Sequence, residues 1–195
     1  MNFNVKVFFD FMCSFLGILT LWWVILIAWL IATIETRSNG FFIQKRIGKN
    51  GKLFSLIKIK TMSPNFGDTS SITTSDDERI TKSGKFFRKT KIDELPQLFN
   101  VLIGEMSFVG PRPDVPGYAD KLKGKDRLIL KLKPGITGPA SIKYANEEYL
   151  LSTVTDKKKY NDEVIFPDKV RINLDYFHNH TILGDIRIII KTIFK

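Results

Sequence analysis

The chain has 195 residues and a formal net charge of +10, with 30 Lys and Arg against 20 Asp and Glu. That length suits one membrane segment plus one compact domain. A single cysteine, Cys13, excludes an internal disulfide and a thiolate metal site. The basic excess lies wholly beyond residue 34 and points to anionic partners: lipid headgroups, phosphorylated substrates or nucleic acid.

The first predicted element is an apolar helix. Phe11 to Ile34 is 24 residues without a charge, bounded by Asp10 and Glu35. As a helix it would be about 36 Å long, against a hydrocarbon core of ~30 Å. It is too long for a signal-peptide core, and no small-residue cleavage site follows it. Length alone therefore predicts a spanning helix. Arg37, Lys45, Arg46, Lys49 and Lys52 follow, and the positive-inside rule puts the domain after them in the cytoplasm.

Residues 41–62 read as a β-hairpin turning at Asn50-Gly51, the pair suited to two positive φ angles. In its second strand Ile57, Ile59 and Thr61 alternate with Lys58, Lys60 and Met62. Two lysines on one face are a solvated edge or a phosphate contact. Residues 63–78 are rich in Ser, Thr, Asp and Gly and read as a mobile loop. Residues 79–91 form a basic segment, helical after Gly84, with Phe86 and Phe87 buried and Arg88 polar. A helix follows, with Leu95, Leu98, Phe99 and Leu102 on one stripe. Pro96 is tolerated only in its first turn, which places Asp93 at or just before the helix start.

Residues 107–113 (SFVGPRP) read as irregular, with Pro111 and Pro113 holding their predecessors extended and presenting Arg112 from a stiff loop. Residues 133–144 read as a second Gly/Pro-rich loop. Residues 145–170 show only a helix near 157–163. His178 and His180 read as polar residues near a turn. At the C-terminus Ile182, Ile186, Ile189, Ile190 and Ile193 share one helical face, and Arg187, Lys191 and Lys195 form a basic stripe. That pattern suits a helix in the lipid interface; packing on the protein's own core is the other reading.

The chemistry concentrates at residues 91–113. An Asp93-Glu94 pair sits among Lys82, Lys85, Arg88, Lys89 and Lys91, next to the Arg112 loop. Carboxylates among cations beside a rigid arginine suit a phosphorylated substrate, since Arg matches phosphate with a planar fork. Helix capping for Asp93 and a salt bridge for Arg112 are the structural alternatives.

Three motifs carry a resemblance: IKIKTM (57–62), RITKSGKFFRKTKIDELPQLFNVLIGEMSFVGPRP (79–113) and PGITGPA (134–140), joined by NLDYFHNHTILGDIRIIIKT (173–192). Together they resemble the bacterial sugar transferases, the monotopic phosphoglycosyl transferase family. The resemblance implies transfer of a phosphosugar from a nucleotide diphosphate sugar, usually a UDP-sugar, to polyprenyl phosphate in the inner membrane. By resemblance Asp93 is the nucleophile, carrying a covalent phosphosugar. Glu94 helps hold Mg²⁺. Lys58, Lys60, Arg88 and Arg112 bind substrate phosphates.

The implied fold is α+β: a membrane helix over 1–36, then a cytoplasmic-face catalytic domain over 37–195 with a hairpin, a compact helical core and interfacial helices. The family bends its membrane helix at a Ser-Pro pair so that it re-enters the same face. Here that place reads Trp22-Trp23, and no proline precedes Pro64. Re-entrance with a gentler bend is the expectation. A second departure is PGITGPAS, where many relatives have a Trp after the second Gly. The rival reading is a non-catalytic, membrane-tethered basic module. It leaves the Asp-Glu pair and the Pro-Arg-Pro loop unexplained, and no groove-reading or base-stacking motif supports a nucleic-acid partner.

Overall fold

The computed structural model describes residues 3–63 and 77–194, with side chains from Val5 onward. The predicted loop at 63–78 lies largely outside the described residues, as does Lys195. The fold is mixed α and β: helices dominate, and two small two-stranded sheets accompany them.

Helix α1 runs unbroken from Phe3 to Thr36. By length and composition it can cross a membrane. Its buried positions are Asp10, Ser14, Ile25, Ala28, Ala32 and Thr36, which fall on one face at spacings of three, four and eleven residues. Phe15, Leu19, Trp22, Trp23, Leu26, Ile27 and Ile31 are exposed on the rest of its surface. Small residues on the buried stripe let the domain approach closely. Gly17, for example, lies against Leu98, where an added Cβ would come within 3.2 Å of Cδ1.

The domain holds α1 at both ends. Near its start Lys6 pairs with Asp185, and near its end Glu35 accepts hydrogen bonds from the backbone N and hydroxyl of Ser83. At ~1.5 Å per residue those two anchors are about 44 Å apart along the helix. The chain leaves α1 at Arg37, in the left-handed region (φ 50°), and folds back so tightly that a Cβ at Gly40 would lie 2.3 Å from the Trp29 carbonyl oxygen. Only glycine fits there.

Strands β1 (Phe41–Ile47) and β2 (Leu53–Ile59) form the predicted antiparallel hairpin, from Phe41 opposite Ile59 to Ile47 opposite Leu53. Asn50 (φ 59°) and Gly51 (φ 77°) supply the turn, closed by Lys52 N donating to Lys49 O at 3.2 Å. Both faces of β2 are covered. Ile59 packs with Ile25, Ala28 and Ala32 of α1 and with Phe87, while Phe54 and Leu56 pack with Val101 and Met106. Each such buried side chain contributes about 1.5–3 kcal/mol. Lys58 follows Phe54 and Leu56 on the inner face, so it is not a solvated edge.

Helix α2 (Lys82–Thr90) starts before Gly84 rather than after it, because Thr81 caps it, accepting from Gly84 N at 3.0 Å. Phe87 is buried as predicted, but Phe86 is 57% exposed. Helix α3 (Gln97–Leu102) follows. Its buried residues are Gln97, Leu98, Asn100 and Val101, and Phe99 points outward, so the predicted apolar stripe is rotated. Asn100 causes the rotation. Its Nδ2 donates to Ser55 O and Glu105 Oε2, both at 2.8 Å, and its Oδ1 accepts from Ile57 N at 3.2 Å. These bonds fasten α3 to the edge of β2.

The two Gly/Pro segments are not irregular throughout. β3 (Ser107–Val109) pairs in parallel with β4 (Gly135–Thr137), and α4 (Pro139–Lys143) follows directly. Glycine permits this pairing: a Cβ at Gly135 would lie 2.2 Å from Gly110 N. The remaining helices are α5 (Glu147–Ser152), α6 (Lys157–Tyr160), α7 (Phe166–Asn179) and α8 (Ile182–Ile193), with a π turn over Asn161–Ile165 joining α6 to α7. The predicted helix near 157–163 is thus present, and α5 is an addition. On α8, Ile182, Ile186 and Ile189 are half-buried and Asp185 is fully buried, while Leu183, Ile190 and Ile193 are exposed.

Candidate active site

Asp93 and Glu94 lie on a 3-10 turn, Ile92–Glu94, between α2 and α3. Lys91 makes the corner. In the left-handed region (φ 60°), its N–H closes α2 on Arg88 O while its carbonyl accepts from Glu94 N at 3.1 Å. Pro96 then leads into α3. The turn packs against β2 and α1 through Ile92 and Leu95, and both carboxylates are buried, each only 8% exposed.

The two acids have opposite surroundings. Lys58 Nζ lies 3.0 Å and Arg112 Nη2 3.2 Å from the same oxygen, Glu94 Oε1. Burial opposes the charge on Glu94, but Arg112 and Lys58 outweigh it and hold the carboxyl well below the usual carboxylate range. Asp93 has no such clamp. Burial, reinforced by the charge of Glu94, pushes it up, against the pull of Lys58, Lys91 and Arg88. Its Oδ1 is buried without a hydrogen-bond partner among the described residues. A buried carboxylate oxygen left unpaired is costly and is retained where it meets something else.

Of the predicted phosphate-binding residues, the structure brings Lys58 and Arg112 onto Glu94. Arg88 is held beside Asp93 by Thr61 Oγ1 at 3.1 Å and by an ion pair with Glu148 at 3.3 Å. Lys60 donates to Ser38 Oγ at 2.8 Å, at the junction of α1 and β1. The Arg112 side chain remains 48% exposed, so its fork is open to a ligand as well as to Glu94.

Among the described residues no group of three or more His, Cys, Asp or Glu could hold a metal by itself. His178 and His180 close α7, with His180 Nδ1 3.1 Å from the Tyr176 and Phe177 carbonyls. The Asp93-Glu94 pair nevertheless fits Mg²⁺, which takes one or two carboxylates and completes its shell with waters and substrate phosphates. With Glu94 as its ligand, Asp93 Oδ1 stays free.

The model of the bacterial sugar transferases matches residues 1–195. The chain belongs to the bacterial sugar transferase family. Among its relatives, a UDP-glucose:undecaprenyl-phosphate glucose-1-phosphate transferase of Klebsiella pneumoniae is 38% identical over 85% of the chain and 35% of its own length. An undecaprenyl-phosphate glucose phosphotransferase of Komagataeibacter xylinus is 34% identical over 95% of the chain and 34% of its own length. The sugar transferase EpsL of Bacillus subtilis is 38% identical over 78% of the chain and 72% of its own length. The chain thus spans about a third of the first two relatives and most of the third.

The candidate site also contains residues that sequence reasoning passed over. Asp114, directly after Pro-Arg-Pro, is half-buried, and burial pushes it up to about 6 against the pull of Lys169, Arg46 and Arg112. Arg46 joins the loop through Pro113 O at 3.3 Å. Only its place between Pro113 and the hairpin core marks Asp114, and that juxtaposition is tertiary: Ile47 N donates to Asp114 O at 2.9 Å.

Proposed function

We propose that this transferase moves a sugar phosphate from a nucleoside-diphosphate sugar, a UDP-sugar by analogy with its relatives, onto undecaprenyl or a similar polyprenyl phosphate. The carrying observation is the asymmetry of the pair: Glu94 clamped by Lys58 and Arg112, and Asp93 buried with a free oxygen.

An unsolvated, unpaired carboxylate is a competent nucleophile. Asp93 attacks the sugar-bearing phosphorus of the donor. The phosphoanhydride bond breaks, its electron pair leaves with the nucleoside monophosphate, and an acyl phosphate forms on Asp93. A phosphate oxygen of the polyprenyl phosphate then attacks the same phosphorus and displaces the Asp93 carboxylate. The product is a polyprenyl-diphosphate sugar. Lys58, Arg88 and Arg112 offset charge on the phosphates. Glu94 would hold Mg²⁺, which supplies charge neutralisation between carboxylate and phosphate. Splitting the transfer lets a water-soluble donor and a lipid acceptor use one site in turn.

The attachment of both α1 ends to one domain supports a membrane-embedded helix that does not cross. A charged domain packed along a perpendicular helix would have to enter the hydrocarbon. On this reading both ends of α1 and the catalytic domain share the cytoplasmic face, where α1's exposed apolar surface meets lipid.

The test is incubation with UDP-sugars, Mg²⁺ and polyprenyl phosphate, reading nucleoside monophosphate release. Mass spectrometry with donor alone should find a phosphosugar on Asp93. Turnover without that adduct under trapping conditions would sink the two-step route.

A further inference from the structure

A buried polar cluster joins the start of α1 to the strand that carries the arginine loop. Lys6 Nζ lies 2.5 Å from Asp185 Oδ2, and the Tyr176 hydroxyl donates to Asp185 Oδ1 at 2.6 Å. Asp185 is 1% exposed, so both its oxygens are engaged inside the protein. The Tyr176 hydroxyl also lies 3.3 Å from Val109 O on β3. One turn along α1, Asp10 accepts from Phe108 N at 3.1 Å, again on β3. β3 runs directly into Gly110-Pro111-Arg112, and Gly135 N donates to Pro111 O at 2.8 Å.

We infer that Lys6, Asp10, Tyr176 and Asp185 are positioning residues, a clamp through which the seating of the apolar helix sets the placement of Arg112 on Glu94. The inference rests on the reading of Arg112 as a phosphate-binding residue. Its physical basis is the cost of the arrangement. A fully buried carboxylate paired with a lysine from an apolar helix gives less stability than well-packed hydrophobic side chains would. Such a pair fixes geometry: it sets the register of α1, α7 and α8 together. Two of its members then touch consecutive residues of one three-residue strand. Removing α1 from its seat would leave Asp185 buried without a cation and Phe108 N without its acceptor, both costly. The closed clamp is thus coupled to a correctly seated membrane helix, and Arg112 is four residues beyond the contact at Phe108.

The test uses two variants of the full chain in nanodiscs: Tyr176→Phe, which removes one hydroxyl, and Asp10→Ala, which removes the acceptor of Phe108 N. Hydrogen exchange is the readout independent of turnover. Amides of residues 107–112 should exchange at least tenfold faster in either variant, with the hairpin at 41–59 unchanged. No change at 107–112, or an equal rise in the hairpin, overturns the clamp. Kinetics supply the second arm. Each variant should lower kcat, and the loss should shrink or vanish in an Arg112→Lys background, as for residues acting through one another. Fully additive losses mean a merely structural role and also overturn it. Should the wild-type chain release no nucleoside monophosphate, the functional reading falls, and the exchange experiment still decides whether the clamp holds the loop.

Discussion

Arg112 reaches back to Glu94, its Nη2 3.2 Å from Oε1, and shares that oxygen with Lys58. The contact makes the arginine both an ion-pair partner and an open ligand: about half its side chain is exposed. The salt-bridge alternative for Arg112 is therefore realised, and the exposed half of the side chain is what the proposed phosphate contact would use.

Arg112→Lys is the variant that separates them. Lysine keeps the charge but loses the planar fork, so it cannot pair a phosphate bidentately while holding Glu94. We expect kcat to fall at least tenfold, about 1.4 kcal/mol of transition-state stabilisation, with little change in melting temperature. Steady-state kinetics on a sugar nucleotide measure it, and an unchanged kcat would leave Arg112 a salt bridge only.

Asp93→Asn should behave differently from a usual buried-polar substitution. Asp93 Oδ1 has no partner to lose, and burial already disfavours its charge. Turnover should drop by orders of magnitude while thermal stability at pH 7 is equal or higher. On the proposed mechanism, wild-type activity needs the carboxylate. Because the Asp93 pKa is raised, its protonated fraction at a given pH exceeds that of an ordinary Asp. The acid limb of the pH–rate profile should therefore lie above the ordinary Asp value of about 4. A limb at or below that value would contradict the burial argument.

Asp114 gives a prediction on stability. Its folded pKa of about 6 exceeds the unfolded value of about 3.9, so the folded state binds more protons between them. That favourable contribution is complete at low pH and is lost as pH rises from about 4 through 6. Asp114→Asn, neutral at every pH, should stabilise the protein by roughly 1–3 kcal/mol above pH 7 and by little near pH 4. Denaturant unfolding at the two pH values measures it; an equal effect at both would remove Asp114 from the titrating set.

The hairpin was legible because Asn50-Gly51 encodes its turn locally, and α1 because length and composition suffice. The Asp93-Glu94 pair and Arg112 were legible as a motif, and the structure joins Glu94 to Arg112. What escaped depended on contacts between distant segments. Phe99 turned outward because Asn100 binds the β2 backbone. β3 and β4 were hidden because parallel pairing needs a partner far along the chain and glycines that let two backbones meet. Asp185 carries no local signal within the predicted C-terminal helix, since its cation comes from residue 6.

The topology of α1 is the remaining prediction. A straight crossing by length alone would put the chain start outside the cell. The structure ties Lys6 to Asp185 and Glu35 to Ser83, so both ends are held by one domain. Val5 is 47% exposed beside the first anchor and Arg37 is exposed just past the second, which makes both suitable labelling sites. Val5→Cys and Arg37→Cys, each in a Cys13→Ser background, should resist a membrane-impermeant thiol reagent in intact cells and react after permeabilisation. Trp22 and Trp23 lie midway, exposed, and on this topology they reach no deeper than one leaflet, nearer the interface that tryptophan favours. Their fluorescence should then be quenched more by shallow than by bilayer-centre lipid quenchers. Labelling of Val5→Cys from outside would establish a crossing helix and would require Lys6 to leave Asp185, while the reading of Asp93 and Glu94 would stand.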